Sequence, residues 1–129
     1  MDFKNLIGSF SCDKAWNAET NKLVENDGST YLPFQSKVKF EVGDTEFSWL
    51  NVTFTGAIGN KGDIITRVGK LVNISKLGLG FIFENTGNIH IPFYFFPVEF
   101  AGEKEINGKL NYLMIMNLND QRVVVKLAR

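Results

Sequence analysis

Asn-Ile-His-Ile-Pro-Phe-Tyr-Phe-Phe-Pro-Val-Glu-Phe, residues 88–100, decides the fold. Its β-branched and aromatic content is that of a strand, and Pro92 and Pro97 rule out a regular helix through it. Ile89, Ile91, Phe93 and Phe95 alternate with His90, Pro92, Tyr94 and Phe96, so both faces are apolar. Such a strand needs a core on one side and a partner element, subunit or ligand on the other. Alternation alone does not say which face turns inward.

The flanks repeat the pattern in both directions. Toward the C-terminus, Asn107-Gly108 is the strongest hairpin signal in the chain. It leads into Lys109–Met116, with Leu110, Tyr112, Met114 and Met116 on one face. Asn119-Asp120 turns that strand into Gln121–Ala128, where Val123, Val125 and Leu127 alternate with Arg122, Val124 and Lys126. Toward the N-terminus, Asn85-Thr86-Gly87-Asn88 is a turn, preceded by Leu77–Glu84 with Leu79, Phe81 and Phe83. Asp63–Val68 and Lys70–Ser75 read as two short strands meeting at Gly69, after a glycine-rich turn at Gly56–Gly62. Gln35–Val42 sets Val38, Phe40 and Val42 against Lys37, Lys39 and Glu41, a half-buried strand. Gly43-Asp44 reads as a two-residue hairpin loop leading into Thr45–Thr55, whose parity change between Trp49 and Val52 predicts a β-bulge near Leu50-Asn51.

The first third is less regular. Leu6–Cys12 reads as a strand, after which Asp13 would cap a short helix over Lys14–Val24, with Trp16 and Leu23 on one side. About nine strands at this spacing, joined mostly by short turns, predict an all-β antiparallel up-and-down meander. Closure into a β-barrel of about 8–9 strands, with at most one short helix near the N-terminus, removes the exposed edges of such a meander. With 129 residues and no linker or repeat, residues 1–129 are read as a single β-barrel domain.

Composition narrows the function classes. Fourteen basic and fourteen acidic side chains leave no net charge, which removes the basic footprint of nucleic-acid binding. Lys37 and Lys39 beside Phe40 would imitate a stacking platform, but they read as lysines on a wet face. The single Cys12 forms no intrachain disulfide, and no apolar run reaches the length of a spanning helix. Together with a start that lacks a signal peptide, this favours the cytoplasm, unless the sequence begins at a mature N-terminus. The sequons Asn51-Val52-Thr53 and Asn73-Ile74-Ser75 lie inside strand patterns and read as coincidental. One His and one Cys, far apart, give no metal-ligand spacing, and no nucleophile elbow gathers Ser9, Ser11, His90 and Asp63. Gly56-x-x-Gly59-x-x-Gly62 joins two strands and opens no helix, so it is not a phosphate cradle. No catalytic residue, cofactor or metal is expected.

The residues at the two ends of the chain carry a resemblance. Leu6-Ile7-Gly8-Ser9-Phe10 is similar to the Gly-x-Trp that opens the first strand in the calycin superfamily, the lipocalins and fatty-acid-binding proteins, with Phe10 in the place of Trp. Ile106-Asn107-Gly108-Lys109-Leu110 and Gln121–Lys126 resemble the closing hairpin of the fatty-acid-binding proteins. Asp13–Pro33 stands where those proteins carry a helical lid. The resemblance implies a barrel that holds a small hydrophobic ligand, and a basic residue covering the opening aromatic. It also implies an inward Arg on the last strand for a ligand carboxylate. No Arg-x-Tyr occurs there, however, and Arg122 falls on the polar side.

The twelve Phe offer far more ring area than a small β domain usually fills. Trp49, Phe81, Phe83, His90, Phe93, Tyr94, Phe95, Tyr112 and Met114 are the candidate ligand-binding residues, with the aromatics as apolar lining and His90, Tyr94 and Tyr112 as polar handles. Two functions follow as expectations. One is non-enzymatic binding of a lipid or apolar metabolite in the barrel interior. The other is an assembly role, in which strand 89–100 forms a homo-oligomer or partner interface.

Overall fold

The computed structural model describes residues 3–12, 14–24, 36–43, 49–58, 63–84, 93–118 and 120–129. A 3-10 turn at Phe3–Leu6 precedes β1 (Gly8–Cys12), β2 (Ala15–Asn17), β3 (Ser36–Val42), β4 (Leu50–Ile58) and β5 (Asp63–Ile74). There follow β6 (Gly78–Glu84), β7 (Phe93–Ile106), β8 (Lys109–Leu118) and β9 (Gln121–Leu127). All pairings are antiparallel, in the order β1-β3-β4-β5-β6-β7-β8-β9-β2. From β3 to β9 every strand lies beside its neighbour in sequence, which is the expected meander.

The first strand closes the sheet because it is shared between both ends. β1 pairs with β3 over Gly8–Cys12. Ser11 also exchanges two backbone hydrogen bonds with Ala128, its N–H donating at 2.7 Å and its carbonyl accepting at 3.0 Å. Beyond it, β2 pairs with β9, Ala15 opposite Val125. The wall is therefore an all-β antiparallel sheet nearly closed into a barrel, with β1 at one end, β2 at the other and the Ser11–Ala128 bridge drawing the ends together. Closure satisfies backbone groups that would otherwise form two open edges.

Alternation sorts the side chains. Phe10, Val38, Phe40, Val52, Phe54, Leu71, Phe81, Tyr112, Met114, Val123, Val125 and Leu127 all turn inward and are buried. Phe81 sits at the centre of this set, with ring centroids 6.4 Å from Phe40, 5.3 Å from Phe54, 6.2 Å from Phe83 and 6.4 Å from Phe100. Edge-on ring contacts at such separations add to the stabilisation from apolar burial. The Asn107-Gly108 hairpin has both residues at positive φ, 53° and 76°, as a two-residue turn between twisted strands requires.

Several sequence expectations change. The helix expected over Lys14–Val24 is instead β2 followed by a tight return. The Asn17 side-chain oxygen accepts from the N–H groups of Glu19 (2.9 Å) and Thr20 (3.0 Å), and Trp16 bridges Leu23. An Asn that satisfies the following N–H groups itself starts a turn rather than a helix. The two strands expected on either side of Gly69 are one, β5, running through the glycine. The Phe83 ring takes up the missing side chain's space, since a Cβ at Gly69 would stand 2.6 Å from it and 2.5 Å from the Ile82 carbonyl.

The register of β3 on β4 is continuous from Val42–Leu50 to Ser36–Gly56, so the bulge expected near Leu50-Asn51 is not there. β4 starts at Leu50, which lies opposite Val42, so Gly43-Asp44 is not a two-residue loop joining β3 to β4; residues 44–48 lie outside the described residues. A bulge occurs instead in β7 between Ala101 and Lys104, at Gly102 with φ 63°. Val42 shares the inward parity of Val38 and Phe40 but is 61% exposed. It lies beyond Gly8, where β1 ends and the neighbouring wall stops.

Candidate functional site

The barrel has two unlike ends. At one end lie the 3-10 turn, the C-terminus and the Asn107-Gly108 hairpin. Leu6, Phe10, Tyr112 and Leu127 are buried there, and Arg129 straps the base together. Its guanidinium carbon stands 4.3 Å from the centroid of the Phe10 ring. Its Nη1 donates to the Ile7 carbonyl and its Nε to that of Leu110, both at 2.9 Å, and Nη2 donates to Asn5. Asn111, a buried polar side chain, accepts from the Arg129 N–H at 2.9 Å and donates to the Lys109 carbonyl at 3.1 Å.

At the other end β4 gives way to β5, β6 to β7 and β8 to β9, through residues 59–62, 85–92 and 119, which lie outside the described residues. The register puts Tyr94 opposite Phe83 and Phe96 opposite Phe81, so Tyr94 and Phe96 share the inner face. Phe96 lies 5.9 Å from Phe83 and 6.1 Å from Tyr94, centroid to centroid. Tyr94 is nevertheless 42% exposed. Arg67 is opposite Phe54, which puts this exposed cation on the inner face as well. Arg67 makes no ion pair with any described residue. Toward this end the inner face thus carries Phe54, Phe83, Phe96 and Met116, packed in or against the core, with the exposed phenol of Tyr94 and guanidinium of Arg67 beyond them.

This geometry divides the residues singled out from sequence. Phe81, Phe83, Tyr94, Tyr112 and Met114 lie on the inner face. Phe93 and Phe95 do not: β7 turns Tyr94, Phe96, Val98 and Phe100 inward and Phe93 and Phe95 outward, with Phe93 60% exposed and Phe95 packed across Gly80 on the outer surface. Trp49 is also outside, half-buried beneath the Lys70 ammonium, 4.3 Å from the ring centroid. His90 lies outside the described residues. The inner-face residues missed from sequence include Phe96, Phe100 and Arg67, while the sequence sets Met116 on the same face as Tyr112 and Met114 but not among the ligand-binding candidates. A signal for the first two was present in Glu99, whose carboxylate shares the parity of Phe93 and Phe95 and so marks that side as the wet one.

Arg122 is on the outer face, ion-paired with Glu99 at 3.0 Å. Its position removes it from the interior. Among the described residues no group of three His, Cys, Asp or Glu side chains is placed to hold a metal ion, and no helix is long and apolar enough to cross a membrane. No family model, curated protein or solved structure matches the chain.

Proposed function

We propose that the protein binds a small hydrophobic ligand, a lipid or apolar metabolite, non-enzymatically in a calycin-like barrel. The ligand enters at the Tyr94 end. The observation that carries this reading is the contrast along the inner wall: it is sealed at the Phe10 end and reaches water at Tyr94 and Arg67. An inward wall of rings with a cation at its rim suits an amphipathic molecule. Its apolar part leaves water at roughly 25 cal/mol per Å² buried, while an acidic end stays at the rim beside Arg67. The base of the barrel supports the same reading, since Arg129 over Phe10 is the kind of basic cover on the opening aromatic that the calycin resemblance implies.

Thermal shift and native mass spectrometry against fatty acids, retinoids and tetrapyrroles test the proposal. A stabilising ligand that stays bound in the gas phase is expected. Absence of any such ligand across the three classes would end the carrier reading.

A second reading draws on the outer face of β7. Phe93 is exposed and Phe95 lies beside it on the same side, so this strand would serve as an interface in a homo-oligomer. Light scattering after size exclusion separates the two: a clean monomer at high concentration removes the support for assembly.

A further inference from the structure

The outer wall of the barrel is of two kinds. On β1, β3 and β4 the outward positions include Ser9, Lys37, Lys39, Glu41, Asn51 and Thr53. On β6 to β9 they include Ile82, Phe95, Leu113, Ile115 and Val124, with Pro97 between the first two and the rest. These five are half-buried, and Phe93 at the edge of the face is 60% exposed. Contiguous apolar surface on one side of a wall marks an interaction site.

One ion pair lies across this face. Glu99 of β7 stands opposite Ile115 and Arg122 of β9 opposite Asn117, so the two meet diagonally over β8, 3.0 Å apart. Both side chains keep more than half of their surface in water, which leaves each room for a second partner. Lys126 is two rows away, opposite Leu113. A two-fold axis in the plane of contact, crossing β8 between Ile115 and Asn117, puts Glu99 of one copy over Arg122 of the other, twice. The face is then complementary to itself, as an isologous dimer requires. Neither an acidic nor a basic partner is selected by a face with one charge of each sign at its centre. Zero net charge also removes the general repulsion between two copies.

We infer that β6 to β9 form the face through which two copies of this chain meet, with two Glu99 and two Arg122 alternating over β8. This rests on the assembly reading given above for the outer face of β7, and extends it to β8 and β9. Four strands about 4.8 Å apart and about seven residues long make a face of about 400–500 Å². That is below the ~800 Å² per partner of a standard interface, so the dimer is weak and reversible.

Sedimentation velocity of the full chain from about 10 μM to about 1 mM, the range in which weak association is read, tests the assignment. The weight-average mass is expected to rise above that of the 14.6 kDa monomer. Glu99→Lys gives each copy two cations over β8, and Arg122→Glu gives each two anions. Either variant alone should associate at least about tenfold more weakly than the wild type, since like charges then face each other. Their equimolar mixture, in which every cation again faces an anion, should regain wild-type association. Both positions are exposed, and an unchanged amide spectrum of each dilute variant confirms its fold. A wild-type chain that stays monomeric throughout would overturn this face and the assembly reading together. Association that persists in both variants alone, or that their mixture does not recover, would overturn this face and leave assembly to another surface.

Discussion

Arg129, the last residue, lies with its guanidinium over the ring of Phe10, in the first strand, at 4.3 Å. The contact joins the two termini across the base of the barrel. The same guanidinium donates to backbone carbonyls on both sides of the join, at Ile7 and Leu110. Arginine suits this position because its planar fork serves several acceptors while its face stacks on a ring.

Arg129→Ala should therefore destabilise the protein by about 1–2 kcal/mol, the sum of partly solvated hydrogen bonds and one cation–π contact. Arg129→Lys should recover only part of that. Urea midpoints at constant m-value measure both. An unchanged midpoint in the Ala variant would mean that the strap does not hold the base closed.

The two faces of the barrel wall make opposite predictions. Phe81→Ala removes a fully buried ring that touches four others and should cost about 3–5 kcal/mol. Phe93→Ala, on the outer face, should stay within about 0.5 kcal/mol. If thermal unfolding ranked the two the other way round, the inward parity of Phe81 in β6 and the outward parity of Phe93 in β7 would be wrong.

Gly69→Ala should be destabilising by about 1–3 kcal/mol, the range for overpacking a filled core. The new methyl group meets the Ile82 carbonyl as well as the Phe83 ring, and the carbonyl belongs to the paired backbone and has little room to yield. Because the ring covering Gly69 is at the mouth, ligand affinity should fall alongside stability.

Two arginines separate the rim from the outer wall. Arg67→Gln should weaken an acidic apolar ligand such as oleate by about tenfold, a typical loss for one charge-assisted contact, with little effect on unfolding. Arg122→Gln, which breaks only an exposed pair with Glu99, should leave oleate binding unchanged and stability within about 0.5 kcal/mol. Calorimetric titration of both variants checks the assignment.

Most of the barrel was legible because period-two alternation is a direct record of burial. Val38 and Phe40, the run from Leu110 to Met116, and Val123 to Leu127 all read correctly for that reason. Alternation fails where both faces are apolar, as in Phe93–Phe96, since a pattern without a polar phase carries no direction. Only Glu99, farther along β7, breaks that tie. It also fails at positions that depend on a distant strand. The role of Gly69 comes from the ring of Phe83, and the turn after β2 from a side-chain amide competing with the backbone. Arg67 was passed over because a cation among apolar neighbours reads as a solvated position until the register puts it opposite Phe54.

The inner wall carries a reporter for the central claim, since Met114 lies deep in the barrel and Met116 nearer the mouth. Methyl NMR of methionine-labelled protein titrated with oleate follows both. The account predicts saturable movement of the Met116 signal, larger than that of Met114, and its loss in Arg67→Gln at the same ligand concentration. Oleate that binds without moving either methyl, or that moves only signals from the outer face around Phe93, would contradict a ligand site inside the barrel.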